Sequence, residues 1–222
     1  MRLSRLFTVL LVFLASLLLS SAALADSVNL TLIGPGGNNG GGVYTYPYNF
    51  SINGGPSTPL ICDTFDNEVI SGESWTANVN GLLSGNGLFG NDSLAYKAAG
   101  LIFEGILANT VNPTVGNWAI WGLFSSNAAS NPYFFGSGAA LLDAQYLLTA
   151  AFTSNSAVDG LVLYTPVSGT QSWGGTPQEY IGFVPAPEPG ELSLIFTTLV
   201  FGLAGIICGK KLGLKPVVPL KG

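Results

Sequence analysis

The stretch NDSLAYKAAGLIFEGIL, from Asn91 to Leu107, decides how this chain is read. Asn91, Asp92 and Ser93 are N-cap residues, and the apolar side chains that follow recur at helical spacing, so a helix is expected over Ser93–Leu107. Before it the period is two instead. Val28 to Ile33 sets Val28, Leu30 and Leu32 against Asn29 and Thr31, the pattern of a half-buried strand. The chain therefore changes from strand to helix within its first hundred residues.

Working outward, strands are expected over Val43 to Ile52, Leu60 to Phe65 and Glu73 to Val79. The first puts Tyr44, Tyr46, Tyr48 and Phe50 on one face, with Pro47 marking an edge or bulge. Asn112 and Pro113 open a second helix over Val115 to Phe124, whose Trp118, Ile120, Trp121, Leu123 and Phe124 surround it and require burial. A third helix is expected over Ala139 to Phe152, then strands over Leu161 to Tyr164 and Glu179 to Val184. No repeat or long linker divides this region. The expected fold is α+β: one domain with a β-rich first part, three helices in the middle and a β return, followed by a transmembrane helix.

Composition narrows the function. The chain has 222 residues and no histidine, which removes Ser-His-Asp triads, Cys-His dyads and His-ligated metals. Six of the seven bases lie at the ends, namely Arg2, Arg5, Lys210, Lys211, Lys215 and Lys221, with Lys97 alone between them. A nucleic-acid partner needs Lys and Arg to displace counterions, so none is expected.

The ends read as addresses. Arg2 and Arg5 precede the apolar run Leu6 to Leu19, and Ala23 and Ala25 place small residues at −3 and −1, giving a signal peptide over 1–25 cut by signal peptidase. At the other end, Pro187, Glu188 and Pro189 precede an apolar segment over 192–208, and Lys210 and Lys211 follow it as a membrane stop. Seventeen helical residues reach about 26 Å, the low end for a bilayer. Between the addresses lies a domain over 26–185, whose ten acids and single base give a net charge near −9.

The Pro187-Glu188-Pro189 motif, the apolar segment and the Lys210-Lys211 pair together resemble the PEP-CTERM sorting signal of exosortase-processed proteins, here over 186–222. Gly190 stands where that signal commonly has Ser, and the tail runs on past the lysines. The resemblance implies export through the inner membrane, transient anchoring, cleavage near the motif by a membrane-embedded exosortase, and release to the cell surface or medium. The expected role is non-catalytic, a structural or binding protein of the surface or extracellular matrix, with exopolysaccharide as a partner.

Cys62 is the domain's single cysteine, so an internal disulfide cannot form. Ile61-Cys62-Asp63, Tyr96-Lys97-Ala98-Ala99 and Trp118-Ala119-Ile120-Trp121 resemble the surface thioester domains of bacterial adhesins. That resemblance implies a Cys62–Asn117 pair, with Asn117 in place of the family's glutamine and its reach shortened by about 1 Å. A covalent adhesin is thus one alternative function. An extracellular carbohydrate-active hydrolase using Asp63 and Glu73 is another.

The acids Asp63, Asp66, Glu68 and Glu73 lack the spacing of a calcium loop and read as a solvated turn, so no metal or cofactor is expected. Gly85-Asn86-Gly87-Leu88-Phe89-Gly90 matches a dinucleotide fingerprint but lacks a preceding strand. Lys97 is expected to face solvent rather than form a Lys-Asn isopeptide. The tyrosine stripe and Trp75, Trp118, Trp121 and Trp173 offer rings for sugar stacking or for ordinary packing.

Overall fold

The computed structural model describes residues 27–173 and 176–184. The signal peptide, Ala23, Ala25, the sorting motif, the segment over 192–208 and the lysine stop lie outside the described residues. Among the described residues, no helix is long and apolar enough to cross a membrane.

Six strands close on one another: β1 (Ser27–Pro35), β4 (Tyr48–Ile52), β5 (Ser57–Cys62), β8 (Tyr180–Phe183), β7 (Leu161–Pro166) and β6 (Ser74–Gly81), in that order around an antiparallel barrel. A separate ribbon pairs β2 (Asn39–Gly40) with β3 (Val43–Tyr44). The helices are α1 (Ser93–Leu107), α2 (Pro113–Phe124), α3 (Ser126–Ala129), α4 (Pro132–Gly136) and α5 (Ala139–Phe152), followed by a 3-10 turn at Asn155–Val158.

This corrects the expected α+β architecture with three helices. The sheet is a closed barrel, because β8 inserts between β5 and β7 and leaves neither with a free edge. Among the described residues there are five α-helices rather than three. The two additional ones are short turns started by side-chain caps, Ser125 Oγ on Ala128 N at 3.2 Å and Asn131 Oδ1 on Tyr133 N at 2.9 Å. Such turns are too brief to show a period. The expected strand over Val43 to Ile52 is also two strands, interrupted at Thr45–Pro47, where Pro47 has no N–H to give to a ladder.

The barrel interior follows from alternation. Val28, Leu30 and Leu32 of β1 point inward, as do Tyr48, Phe50 and Ile52 of β4 and Trp75, Ala77 and Val79 of β6. Phe50 meets Trp75 edge-on with ring centroids 5.5 Å apart, and Tyr180 at 4.6 Å. Burying each such side chain stabilises the fold by about 1.5–3 kcal/mol. Along β7, residues Leu161 to Thr165 are all buried, so both faces of this strand are covered.

The helices form a mutually packed group of α1, α2 and α5, with α2 against β5. Asp92 caps α1 through Ala95 N at 3.1 Å, and Asn112 caps α2 through Thr114 N and Val115 N at 3.0 and 3.2 Å. α2 is lined with buried residues from Gly116 to Trp121, as its all-round apolar character requires.

Candidate functional site

Cys62 ends β5 directly beneath α2, and the fold does bring it beside Asn117. Both are completely buried. The Asn117 amide Nδ2 donates to the Cys62 carbonyl oxygen at 2.8 Å, and its Oδ1 accepts from Tyr46 N at 2.7 Å. The side chain thus fastens α2 to β5 and to the turn between β3 and β4. The thiol instead donates to the Thr64 carbonyl at 3.2 Å. Burial, then the neighbouring Asp63, pushes the Cys62 thiol well up from its ordinary value, while the Trp121 indole acts weakly the other way without meeting hydrogen-bond geometry. A protonated, enclosed sulfur is a poor nucleophile.

The residue after Cys62 begins an unusual arrangement. Cys62 pairs with Tyr180 across β5 and β8, and Asp63 N donates to Glu179 O at 3.4 Å, so two carboxyls stand opposite each other on adjacent chains. Neither has any exposure. Glu179 is heavily solvated by the protein: Tyr96 Oη donates to Oε1 at 2.7 Å, and Thr165 Oγ1 and Leu88 N donate to Oε2 at 2.5 and 3.0 Å.

Asp63 has only Thr64 Oγ1 on Oδ1, at 3.0 Å, and its Oδ2 reaches no donor. Burial raises the Asp63 pKa well above its ordinary value, and the charge and hydrogen bond of Glu179 raise it further. Two buried anions side by side are prohibitive without a cation. Lys97, the one base among the described residues, donates to the Thr153 carbonyl instead. Asp63 is therefore the carboxyl that carries a proton, which turns its orphan oxygen into a donor.

This arrangement explains the glycine-rich loop. A Cβ on Gly87 would stand 2.1 Å from Tyr96 Oη, so glycine lets the loop close over the phenol. From there Phe89 N donates to Tyr96 Oη at 3.1 Å and Leu88 N reaches Glu179. The motif is a lid on a buried carboxylate.

The remaining acids separate. Glu73 is buried and accepts from Ile70 N at 3.2 Å, closing the turn before β6. Asp66 and Glu68 are exposed, so the cluster is not one solvated turn. They line a cleft of about 530 Å³ whose other walls include Tyr44, Phe65, Trp121 and Asn127. Asn127 Nδ2 donates to Asp66 Oδ1 at 2.7 Å, while Glu68 makes no hydrogen bond or ion pair with any described residue.

Lys97 is buried, 7% exposed, contrary to the solvent-facing position expected. The tyrosine stripe is also dispersed: Tyr48 is in the core, Tyr46 half-buried, and only Tyr44 is exposed. Trp75, Trp118 and Trp121 are buried and Trp173 is exposed. The pairing of Tyr96 with Glu179 escaped the sequence reading; the available signal was a lone acid at the mouth of the apolar Tyr180–Phe183 strand. No family model, curated protein or solved structure matches the chain.

Proposed function

We propose that this is an exported, non-catalytic protein of the cell surface or extracellular matrix, delivered by the signal peptide over 1–25 and sorted through the tail over 186–222. The observation that carries the reading is the ordered Pro187-Glu188-Pro189, apolar segment and Lys210-Lys211 at one end, with a signal peptide at the other. Exosortase acts near the Pro-Glu-Pro and frees the domain from its membrane anchor. The domain's chemistry supports a binding or structural role: Cys62, Asp63, Glu73 and Glu179 are all buried, and each is engaged in holding strands or turns.

Mass spectrometry of the protein from its native host tests the sorting. A mature carboxyl terminus near Pro187 is expected, and a terminus still at Gly222 would sink the proposal. Replacing Pro187, Glu188 and Pro189 by alanine is expected to leave a membrane-retained precursor.

A covalent adhesin is the second reading, prompted by the fold placing Asn117 beside Cys62, although the amide bonds the Cys62 carbonyl and the thiol turns to Thr64 O. It predicts a mass about 17 Da low, from ammonia lost as a thioester forms. An unmodified mass removes it.

A further inference from the structure

We propose that the cleft between β3 and the loop 65–69 binds a chain of amino sugars through their free ammonium groups. The proposal rests on the reading of the domain as an exported binding module and gives that module a ligand class.

Three observations converge on it. The first is shape: about 530 Å³ falls within the range of small-molecule sites, and a mostly apolar lining carries a few polar side chains. The second is an exposed ring on a fixed support. Tyr44 is 56% exposed, yet its backbone oxygen accepts from Tyr48 Oη at 2.6 Å. The ribbon carrying it is pinned to α2 by Trp118 Nε1 on Gly40 O at 3.1 Å and by the Thr45–Thr114 hydroxyl pair at 3.2 Å. A ring held this way offers a contact surface for the C–H face of a pyranose at little ordering cost.

The third is charge. Asp66 and Glu68 line the cleft without an ion-pair partner among the described residues, where Lys97, the one base, is buried elsewhere. Polyanionic glycans are repelled by this field, whereas an ammonium on the sugar supplies the missing cation. The amides of Asn67, Asn127 and Gln178 fix the walls of the same cleft, through Asn67 Nδ2 on Pro177 O at 3.2 Å, Asn127 Nδ2 on Asp66 Oδ1 at 2.7 Å and Gln178 Nε2 on Asn67 O.

Isothermal titration of the full chain in detergent with a glucosamine hexamer, an N-acetylglucosamine hexamer and hexalysine tests the assignment. Saturable binding of the glucosamine hexamer is expected, about tenfold or more weaker for the acetylated one, whose amines are uncharged. Tyr44→Ala is expected to weaken binding about tenfold while Tyr44→Phe retains it. Glu68→Gln is expected to weaken binding several-fold and flatten its salt dependence. Both side chains are exposed, so unchanged thermal melts will show that the variants fold. Equal affinity for the two hexamers, hexalysine binding that matches glucosamine, or indifference to Tyr44→Ala would each overturn the proposal. None of these outcomes bears on exosortase sorting, which fails separately on the mass of the mature carboxyl terminus.

Discussion

Replacing Asp63 by asparagine should make the domain more stable at neutral and alkaline pH. Burial and the facing Glu179 raise the Asp63 pKa well above the carboxylate range, so the folded state holds a proton that the unfolded chain releases near pH ~4. Stability from that proton is fully present below the unfolded pKa and is lost as pH rises toward the folded pKa. The loss is about 1.4 kcal/mol per pH unit for one proton. In Asp63→Asn the side-chain amide keeps the acceptor for Thr64 and a donor for Glu179 but has no proton to lose.

Wild type and variant should therefore agree near pH 4 and diverge above it. Between pH 5.5 and 7.5 the wild type is expected to fall behind by up to about 2.7 kcal/mol, or about 5–11 °C in melting temperature for a domain of this size. Asp143, whose burial raises it to about 6, contributes a loss of the same sign at acid pH, but it is common to both proteins and cancels in the difference. Urea titrations followed by the fluorescence of the buried Trp75, Trp118 and Trp121 give the two curves directly. Parallel curves across this range would refute the shared-proton pair.

The same core makes further predictions. Glu179→Gln removes one of the two oxygens that receive Tyr96, Thr165 and Leu88 and should destabilise the domain by about 1–3 kcal/mol near pH ~5, seen as a lower urea midpoint. Asn117→Ala leaves Tyr46 N and Cys62 O without partners and should cost about 2–4 kcal/mol by the same assay. Gly87→Ala drives a Cβ against Tyr96 and Leu163, forces Tyr96 away from Glu179 and should cost about 1–3 kcal/mol, seen as a lower urea midpoint. With Cys208 replaced by Ser, Cys62 should resist thiol reagents in the native protein and react stoichiometrically in urea; rapid native labelling would contradict its enclosure.

The boundaries of α1 and α5 were legible because local causes set them, a cap at Asp92 for one and apolar spacing for the other. Closure of the barrel was not, because it depends on pairings such as Leu30 with Trp75 and Ile61 with Ile181, which no local pattern encodes. Lys97 was misplaced for a related reason. Its stem lies on the packed side of α1 and its ammonium finds the Thr153 carbonyl after α5, a partner that only tertiary packing supplies.

The acids after Cys62 show where the limit falls. From Phe65 to Ile70 exposure alternates, with Asp66, Glu68 and Ile70 outward and Phe65, Asn67 and Val69 turned in, a period of two visible in the residues themselves. That pattern separates Asp66 and Glu68 from Asp63 and places both at a water-facing cleft. Asp63 belongs to the other side of this division because the chain at Cys62 to Thr64 is still covered, by α2 and by the Glu179 strand. One short run of sequence thus carries two kinds of carboxyl: a proton-bearing one that closes the barrel seam, and exposed ones that line a water-facing cleft. The distinction between them is accessibility to water, and it is fixed by a strand more than a hundred residues away.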